Sequence, residues 1–158
     1  MCQPWRQDLE FGLLLLWRLR DEGLGPGVRL EDWSYGTVPA FQRLQALPHL
    51  RRAVFLSASE RGRPPGTLHR RTPPLGLPGP AEVQARIADG AMGLVCVDNL
   101  MVMARHYGAL PPDVVVVEVE PVDDGWGRGL SPVVAGRLEE AMERVRREVA
   151  RPFSMEAP

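Results

Sequence analysis

The stretch from Val114 to Pro132, which reads VVVVEVEPVDDGWGRGLSP, decides the fold. Its four leading valines form a continuous run of β-branched residues, which predicts a strand. A glycine-rich loop, Asp124–Gly129, follows the strand. Ser131 is predicted to cap a long helix, Pro132–Ala150, because serine accepts hydrogen bonds from first-turn N–H groups and proline is favoured at the first helical position.

Three segments are predicted to be strands of one sheet: Val28–Trp33, Ala53–Leu56 and Val114–Glu120. The first alternates apolar and polar residues, whereas the other two are apolar on both faces, as interior parallel strands are. The segment Leu9–Glu22 is rich in leucine and arginine and predicts a helix. Strands that alternate with helices predict a three-layer α/β/α sandwich with a mainly parallel sheet, whose ligands bind at the carboxyl ends of the strands.

The remaining elements are shorter. A short strand is predicted over Thr67–Arg71 and a short helix over Ala81–Asp89. The next region is ambiguous, because Leu94–Val97 alone indicates a strand, whereas Leu100–Tyr107 indicates a helix.

Length and composition restrict the class of protein. The 158 residues suit a single domain, predicted over residues 1–150 with a loose tail over 151–158. A net charge of −1 argues against a nucleic-acid-binding protein. Cys2 and Cys96 form no zinc motif, and the apolar run Gly12–Trp17 is too short to span a membrane. With no signal-peptide pattern, we expect a cytoplasmic protein.

Five segments resemble, in order and spacing, the motifs of the hydrogenase maturation proteases. The most specific is the last loop, in which E-P leads through W-G-x-G-L-S-P into the final helix. The resemblance includes the helix end D-L-L-x-L-A-R-x-x-G-x-L-P, so it implies that the ambiguous region is helical. The matching segments are Pro4–Gly12, Asp32–Phe41, Val54–Thr67, Asn99–Pro111 and Val119–Pro132.

The resemblance implies an activity and a partner. These endopeptidases remove a short C-terminal extension from the large-subunit precursor of a nickel–iron hydrogenase. They recognise the nickel in that substrate through an acidic residue, an aspartate and a histidine. We therefore expect no cofactor resident in the protein itself, and we expect the large-subunit precursor as its partner.

The three metal-recognition positions of the family carry other residues in this sequence. Leu9 stands at the acidic position, Ser57 at the aspartate position and Gly93 at the histidine position. Leucine and glycine side chains cannot bind a metal, and a neutral serine hydroxyl is a poor replacement for a carboxylate. The sequence therefore predicts that this chain has no competent metal-recognition site.

Further side chains are candidates for partner contact or for replacing the missing ligands. Asp8, Asp32 and Trp126 are predicted to contribute to a partner-binding cleft, and Trp126 has the strongest reason, because an aromatic residue on a loop suits partner contact. No catalytic residue is assigned. The residues that could replace the missing ligands, although solvated or structural roles are favoured for each, are Glu10, Glu60, His69, Asp98 and His106.

The family begins with a central strand that ends just before its first motif. Here only Met1, Cys2 and Gln3 precede Pro4. A gap in the middle of a sheet leaves backbone groups unpaired, which is costly when they are buried. We therefore expect an upstream in-frame extension that would add this strand.

Three functions remain open. The first is a degenerate maturation protease that binds or assembles a hydrogenase subunit, which the missing ligands favour. The second is an active endopeptidase that removes the C-terminal extension. The third is a non-enzymatic α/β domain that binds an unrelated small ligand.

Overall fold

The computed structural model describes residues 2–153 and contains six α-helices and three strands within them. A 3-10 turn, Gln7–Glu10, leads into the first helix. The helices are α1 (Phe11–Glu22), α2 (Thr37–Gln45), α3 (Pro80–Ala91), α4 (Val97–His106), α5 (Pro132–Ala135) and α6 (Leu138–Ala150). The strands are β1 (Arg52–Ala58), β2 (Leu68–Arg71) and β3 (Asp113–Val119).

The strands form one sheet in the order β1-β3-β2. β1 is parallel to β3, with Arg52 opposite Asp113 and Ala58 opposite Val119. β2 is antiparallel to β3, so the sheet is mixed, whereas a mainly parallel sheet was predicted. No helix lies between β1 and β2, and the chain reverses its direction in the loop that joins them. A parallel β2 would need a longer crossover connection, which this loop does not provide.

Helices cover both faces of the sheet, which confirms the three-layer α/β sandwich. One core packs α1 and α6 against Val115, Val117 and Val119 of β3. The other packs α2 and α4 against Val114 and Val116. α1 lies so close to β1 at Gly12 that an added Cβ would be 2.7 Å from the Leu56 carbonyl oxygen.

The predicted strand Val28–Trp33 is wrong, because these residues form no strand. Their side chains still alternate across the plane of the sheet. Leu30 packs against the core of α1 and α6, and Trp33 packs against the core of α2 and α4. An alternating pattern shows only where side chains are buried, whereas a strand also needs backbone hydrogen bonds to a neighbouring strand. Within residues 2–153, the segment 28–33 makes no backbone–backbone hydrogen bond.

Side chains hold this segment in place instead. The Glu31 carboxylate accepts two hydrogen bonds from Arg43, at 2.8 and 2.7 Å, and one from the Trp33 indole at 2.9 Å. The Arg43 hydrogen bonds are the main reason that the pKa of Glu31 falls from its usual 4.5 to about 2, although burial opposes the shift.

The lowered pKa of Glu31 predicts a dependence of stability on pH. The folded protein holds this carboxylate in its charged form more strongly than the unfolded chain does, so its contribution to stability is complete above about pH 4.5 and is lost as the pH falls towards 2. Glu31→Gln should therefore reduce the acid-induced loss in unfolding free energy, measured by urea titration between pH 6 and 3. Glu82→Gln, on the exposed surface of α3, is the control, and an equal change there would contradict the assignment.

The helix predictions have mixed outcomes. The Ser131 hydroxyl accepts from the Val134 N–H at 3.4 Å, with Pro132 at the first helical position, which confirms the cap. The single helix predicted for Pro132–Ala150 is wrong, because it divides into α5 and α6 around Gly136. Glycine disfavours a helix interior, which explains the break. Leu94–Val97 lies outside the sheet, and Val97 begins α4, in agreement with the helical interpretation.

The end of the chain packs on the body of the protein as far as it is described. Arg52 donates to the carbonyl oxygens of Glu148 and Arg151 at 2.6 and 2.7 Å, and its guanidinium lies 4.5 Å from the ring centre of Phe153. Residues 154–158 of the predicted tail lie outside the described residues, so the proposed domain boundary stays a prediction. Among the described helices, none is long and apolar enough to span a membrane.

Candidate functional site

Asp8 fixes the glycine-rich loop to the start of the chain. Its carboxylate is completely buried and accepts hydrogen bonds from the N–H groups of Val122 and Asp123 at 2.9 and 3.0 Å. It also accepts from the N–H and the hydroxyl of Ser131 at 2.7 and 2.9 Å. Asp8 therefore holds both ends of the loop. Its predicted place in a partner-binding cleft has no direct test in the structure.

Two tryptophans lie at the surface, Trp126 on the loop and Trp5 in the segment before the 3-10 turn. Trp126 is 81% exposed and Trp5 is 53% exposed. The Arg6 guanidinium lies 5.5 Å from the centre of the Trp126 ring, and the Arg128 guanidinium lies 4.3 Å from that of Trp5. We call these four residues the tryptophan platform. Its exposed aromatic rings and flanking cations are of the types enriched at protein–protein interfaces.

Backbone contacts keep the platform in a fixed shape. Arg6 forms a β-bridge with Gly127, and the Gly127 N–H donates to the Trp5 carbonyl at 2.9 Å. Trp5 has a φ of +68°, a left-handed conformation that is unfavourable for a bulky residue. Such a conformation persists only where the surrounding contacts enforce it. Here the bridge and the hydrogen bond to Gly127 supply that constraint.

The carboxyl ends of β1 and β3 carry a buried arginine–carboxylate cluster. Glu118 is completely buried and accepts from Arg71 at 3.0 Å, from Arg63 at 3.1 Å and from Arg61 at 3.3 Å. Asp98, which reaches in from α4, pairs with Arg71 at 2.6 Å and with Arg61 at 2.7 Å. Glu120 completes the cluster by accepting from the backbone N–H groups of residues 61 and 62.

The arginines keep these carboxylates charged. Burial raises the pKa of both Glu118 and Asp98, but the hydrogen bonds and positive charges of Arg71 and Arg61 outweigh it and lower both below their usual values. In return, the hydrogen bond to Asp98 is the main cause of a raised pKa of Arg61. Three arginines balance three carboxylates, and every carboxylate oxygen accepts at least one hydrogen bond.

The positions predicted to lack metal ligands lie in different settings. Ser57 is buried on β1, and its hydroxyl lies 3.2 Å from that of Ser59. In the sheet register Ser57 is opposite Glu118, so both side chains point to the face that bears the cluster. Leu9 is half-buried in the 3-10 turn, and Gly93 is exposed in the loop between α3 and α4 with a φ of +92°. Within residues 2–153, no group of three His, Cys, Asp or Glu side chains is arranged to hold a metal.

The structure brings only some of the alternative residues together. Asp98 belongs to the cluster, whereas Glu10 contacts the platform by accepting from the Trp5 N–H. Glu60 is exposed on the loop after β1, and His106 packs against Tyr107 at the end of α4. The register places His69 of β2 opposite Glu118.

The surroundings of Asp32, a predicted cleft residue, and of Cys96 are simple. Asp32 is exposed, and its carboxylate accepts from the Ser34 N–H at 2.8 Å in a turn. Cys96 is partly buried immediately before α4.

Sequence reasoning missed Glu118, the centre of the cluster. The signal was present, because a glutamate among the valines of a strand that is apolar on both faces must find partners inside the protein. The arginines that supply them lie far from it in the sequence, at positions 61, 63 and 71. No spacing pattern connects them with β3.

The whole arrangement has known structural relatives. HycI, described as a NiFe hydrogenase maturation protease, from Thermococcus kodakarensis KOD1 is 19% identical, with a TM-score of 0.69 over 95% of this chain and 88% of that chain. This chain has the maturation-protease fold. A hydrogenase 2 maturation peptidase from Thaumarchaeota archaeon SCGC_AB-539-E09 is 20% identical, with a TM-score of 0.66 over 94% of this chain and 93% of that one. An endopeptidase from Escherichia coli is 22% identical, with a TM-score of 0.67 over 95% and 90%.

The fold of this chain matches known structures, whereas its sequence finds no match among family models or curated proteins. At these identities the likeness establishes the shared fold, and it leaves the chemistry to be argued from the residues at the carboxyl ends of the strands.

Proposed function

We propose that this protein takes part, in the cytoplasm, in the maturation of a nickel–iron hydrogenase large subunit, as a binding or assembly factor without a metal-recognition site. The maturation-protease fold and the order of the motifs support the role in maturation. The residues at the carboxyl ends of the strands support the absence of metal recognition.

The observation that carries the proposal is the chemistry around Ser57. The side chain opposite it, Glu118, is bound by three arginines, and the nearby Asp98 is bound by two of them. A divalent cation needs oxygen or nitrogen lone pairs that are free to coordinate it. Here the carboxylate oxygens of Glu118 and Asp98 already accept hydrogen bonds from guanidinium groups. The positive charges of these groups also repel a metal cation.

The tryptophan platform is the surface that we assign to partner binding. Its rings are exposed, its backbone is fixed through Asp8, and Arg128 has no acidic partner within residues 2–153. Aromatic residues and arginines on a rigid base contribute most of the energy in many interfaces. The platform can therefore bind a partner without metal recognition.

A binding and cleavage assay tests the proposal. The purified protein is incubated with nickel-loaded large-subunit precursor, and both complex formation and the length of the precursor are measured. We expect a complex with an unshortened precursor, and at least tenfold weaker binding for Trp126→Ala. Trp17→Ala, which removes a ring that is 47% exposed on the outer side of α1, is the matched control. A shortened product would contradict the loss of activity, and the absence of a complex would contradict the role in maturation.

A restoration experiment tests the missing ligands directly. The native chain should give no heat of binding with Ni²⁺ above that of a generic surface. Leu9→Glu, Ser57→Asp and Gly93→His together should bind Ni²⁺ at least tenfold more tightly, because they return charged and imidazole ligands to the three positions. The measurement is titration calorimetry, with Leu9→Glu and Gly93→His without the third change as the control. Micromolar binding by the native chain would show that other residues form the site.

A further inference from the structure

The two segments that carry the tryptophan platform are acidic. Residues 5–10 and 121–131 contain four carboxylates and two arginines, so their net charge is −2. The carboxylates are those of Asp8, Glu10, Asp123 and Asp124, and the arginines are Arg6 and Arg128. In the described part of the chain, only Asp124 of these four has a cation within ion-pair distance, at 2.9 Å from Arg6. The arginines of the platform therefore leave an excess of negative charge.

One of these carboxylates is open to a ligand. Asp8 is buried, and both its oxygens accept hydrogen bonds from the loop. The two oxygens of Glu10 accept from backbone N–H groups at 2.5 and 3.4 Å. The carboxylate of Asp123 is exposed, and one of its oxygens accepts from the Gly125 N–H at 2.8 Å. Its other oxygen accepts no hydrogen bond from residues 2–153, so Asp123 can pair with a cation of another molecule.

The same turn brings this carboxylate close to an aromatic ring. Asp123 accepts from Gly125, the residue immediately before Trp126, and thereby closes a tight turn beside the ring. The Trp126 ring is mostly exposed, and Arg6, the cation that lies near it, is already paired with Asp124. An aromatic face attracts a cation through its quadrupole, and a neighbouring carboxylate adds a full negative charge. Together they form a subsite for a cationic side chain.

We propose that the platform binds a basic segment of its partner, with an arginine or lysine side chain held between the Trp126 ring and the Asp123 carboxylate. The inference rests on the proposed function, because it gives the chemistry of the segment that the partner presents to this surface. The alternative is an acidic segment, since Arg128 lies on the Trp5 ring without an acidic partner within residues 2–153. The net charge of −2 favours the basic segment, because complementary charge selects between partners.

Two labelled peptides test the proposal. The basic probe alternates arginine and leucine over about six residues, the length of a typical extended segment, and the control peptide has glutamate in place of each arginine. By fluorescence anisotropy at low ionic strength, the basic peptide should bind about fivefold more tightly than the acidic one. Raising the salt to about 1 M, where the Debye length is about 3 Å, should remove most of this difference.

Matched variants locate the bound cation. Asp123→Asn removes the charge but keeps an oxygen for the turn hydrogen bond, and it should weaken binding of the basic peptide about threefold. Asp32→Asn is the control, because exposed Asp32 lies outside the platform and makes the same turn contact, at 2.8 Å from the Ser34 N–H. Trp126→Ala should weaken binding about fivefold. Arg128→Gln should strengthen it, because it removes a like charge from the platform.

The outcomes separate this inference from the proposed function. It would be overturned by acidic-peptide binding as tight as that of the basic peptide, by no binding of either, or by equal effects of Asp123→Asn and Asp32→Asn. Weaker binding of the basic peptide by Arg128→Gln would also overturn it, even where a complex with the precursor forms. Conversely, selective binding of the basic peptide without any precursor complex would confirm the charge preference of the platform and contradict the role in maturation.

Discussion

Replacing Asp8 with alanine should lower the free energy of unfolding by about 4 kcal/mol. The change removes a fully buried carboxylate that accepts four hydrogen bonds, and it leaves the N–H groups of Val122, Asp123 and Ser131 without their partner. Each buried donor left unsatisfied costs roughly 1–3 kcal/mol, and partial access of water in the loosened loop reduces the sum. Urea denaturation measures the difference.

The same substitution should release the platform. Because Asp8 holds both ends of the loop, hydrogen exchange at residues 122–129 should accelerate more than exchange in β3. Asp32→Ala is the matched control, since its exposed carboxylate makes one local turn contact and should cost less than about 1 kcal/mol. A loss for Asp8→Ala no larger than that of the control would show that the loop is held by other contacts.

Replacing Glu118 with glutamine should cost about 3 kcal/mol of unfolding free energy. The variant keeps the size of the side chain but removes the negative charge that faces Arg61, Arg63 and Arg71. Breaking a buried ion pair from one side is strongly destabilising, because the remaining charges lose their compensation. Differential scanning calorimetry and urea denaturation should agree on the loss.

An exposed ion pair provides the control for Glu118. Glu139 pairs with Arg18 at 3.0 Å on the surface, where both side chains are at least half exposed. Glu139→Gln should change stability by less than about 0.5 kcal/mol, because water solvates both charges. Equal effects of the two substitutions would mean that the cluster is solvated and does not hold the carboxyl ends of the strands together.

The local patterns predicted the individual elements well. β3, β1 and the Ser131 cap follow from apolar runs and capping chemistry, which act over a few neighbouring residues. The long C-terminal helix failed at Gly136, where one residue of low helix propensity and the packing of Val134 and Leu138 into the core divide it. Local signals therefore fixed the type of most elements more reliably than their ends.

The candidate site was predicted only in part. Trp126 was singled out for its loop, and its exposure agrees with contact with a partner, which stays a prediction. Asp8 was recognised as part of a motif, but its complete burial and four hydrogen bonds depend on a loop more than a hundred residues away. Glu118 was not recognised, because its partners Arg61 and Arg63 come from the loop after β1 and Arg71 comes from β2.

The sequence by itself determined the layer architecture and the Ser131 cap, because both depend on side-chain identity or on short-range periodicity. The loss of metal ligands at Leu9, Ser57 and Gly93 stays a prediction of the sequence. Tertiary structure alone decided that residues 28–33 form no strand and that arginines enclose Glu118. Backbone pairing and charge compensation both need a second segment at hydrogen-bonding distance, and only the folded chain fixes which distant segment, if any, arrives there.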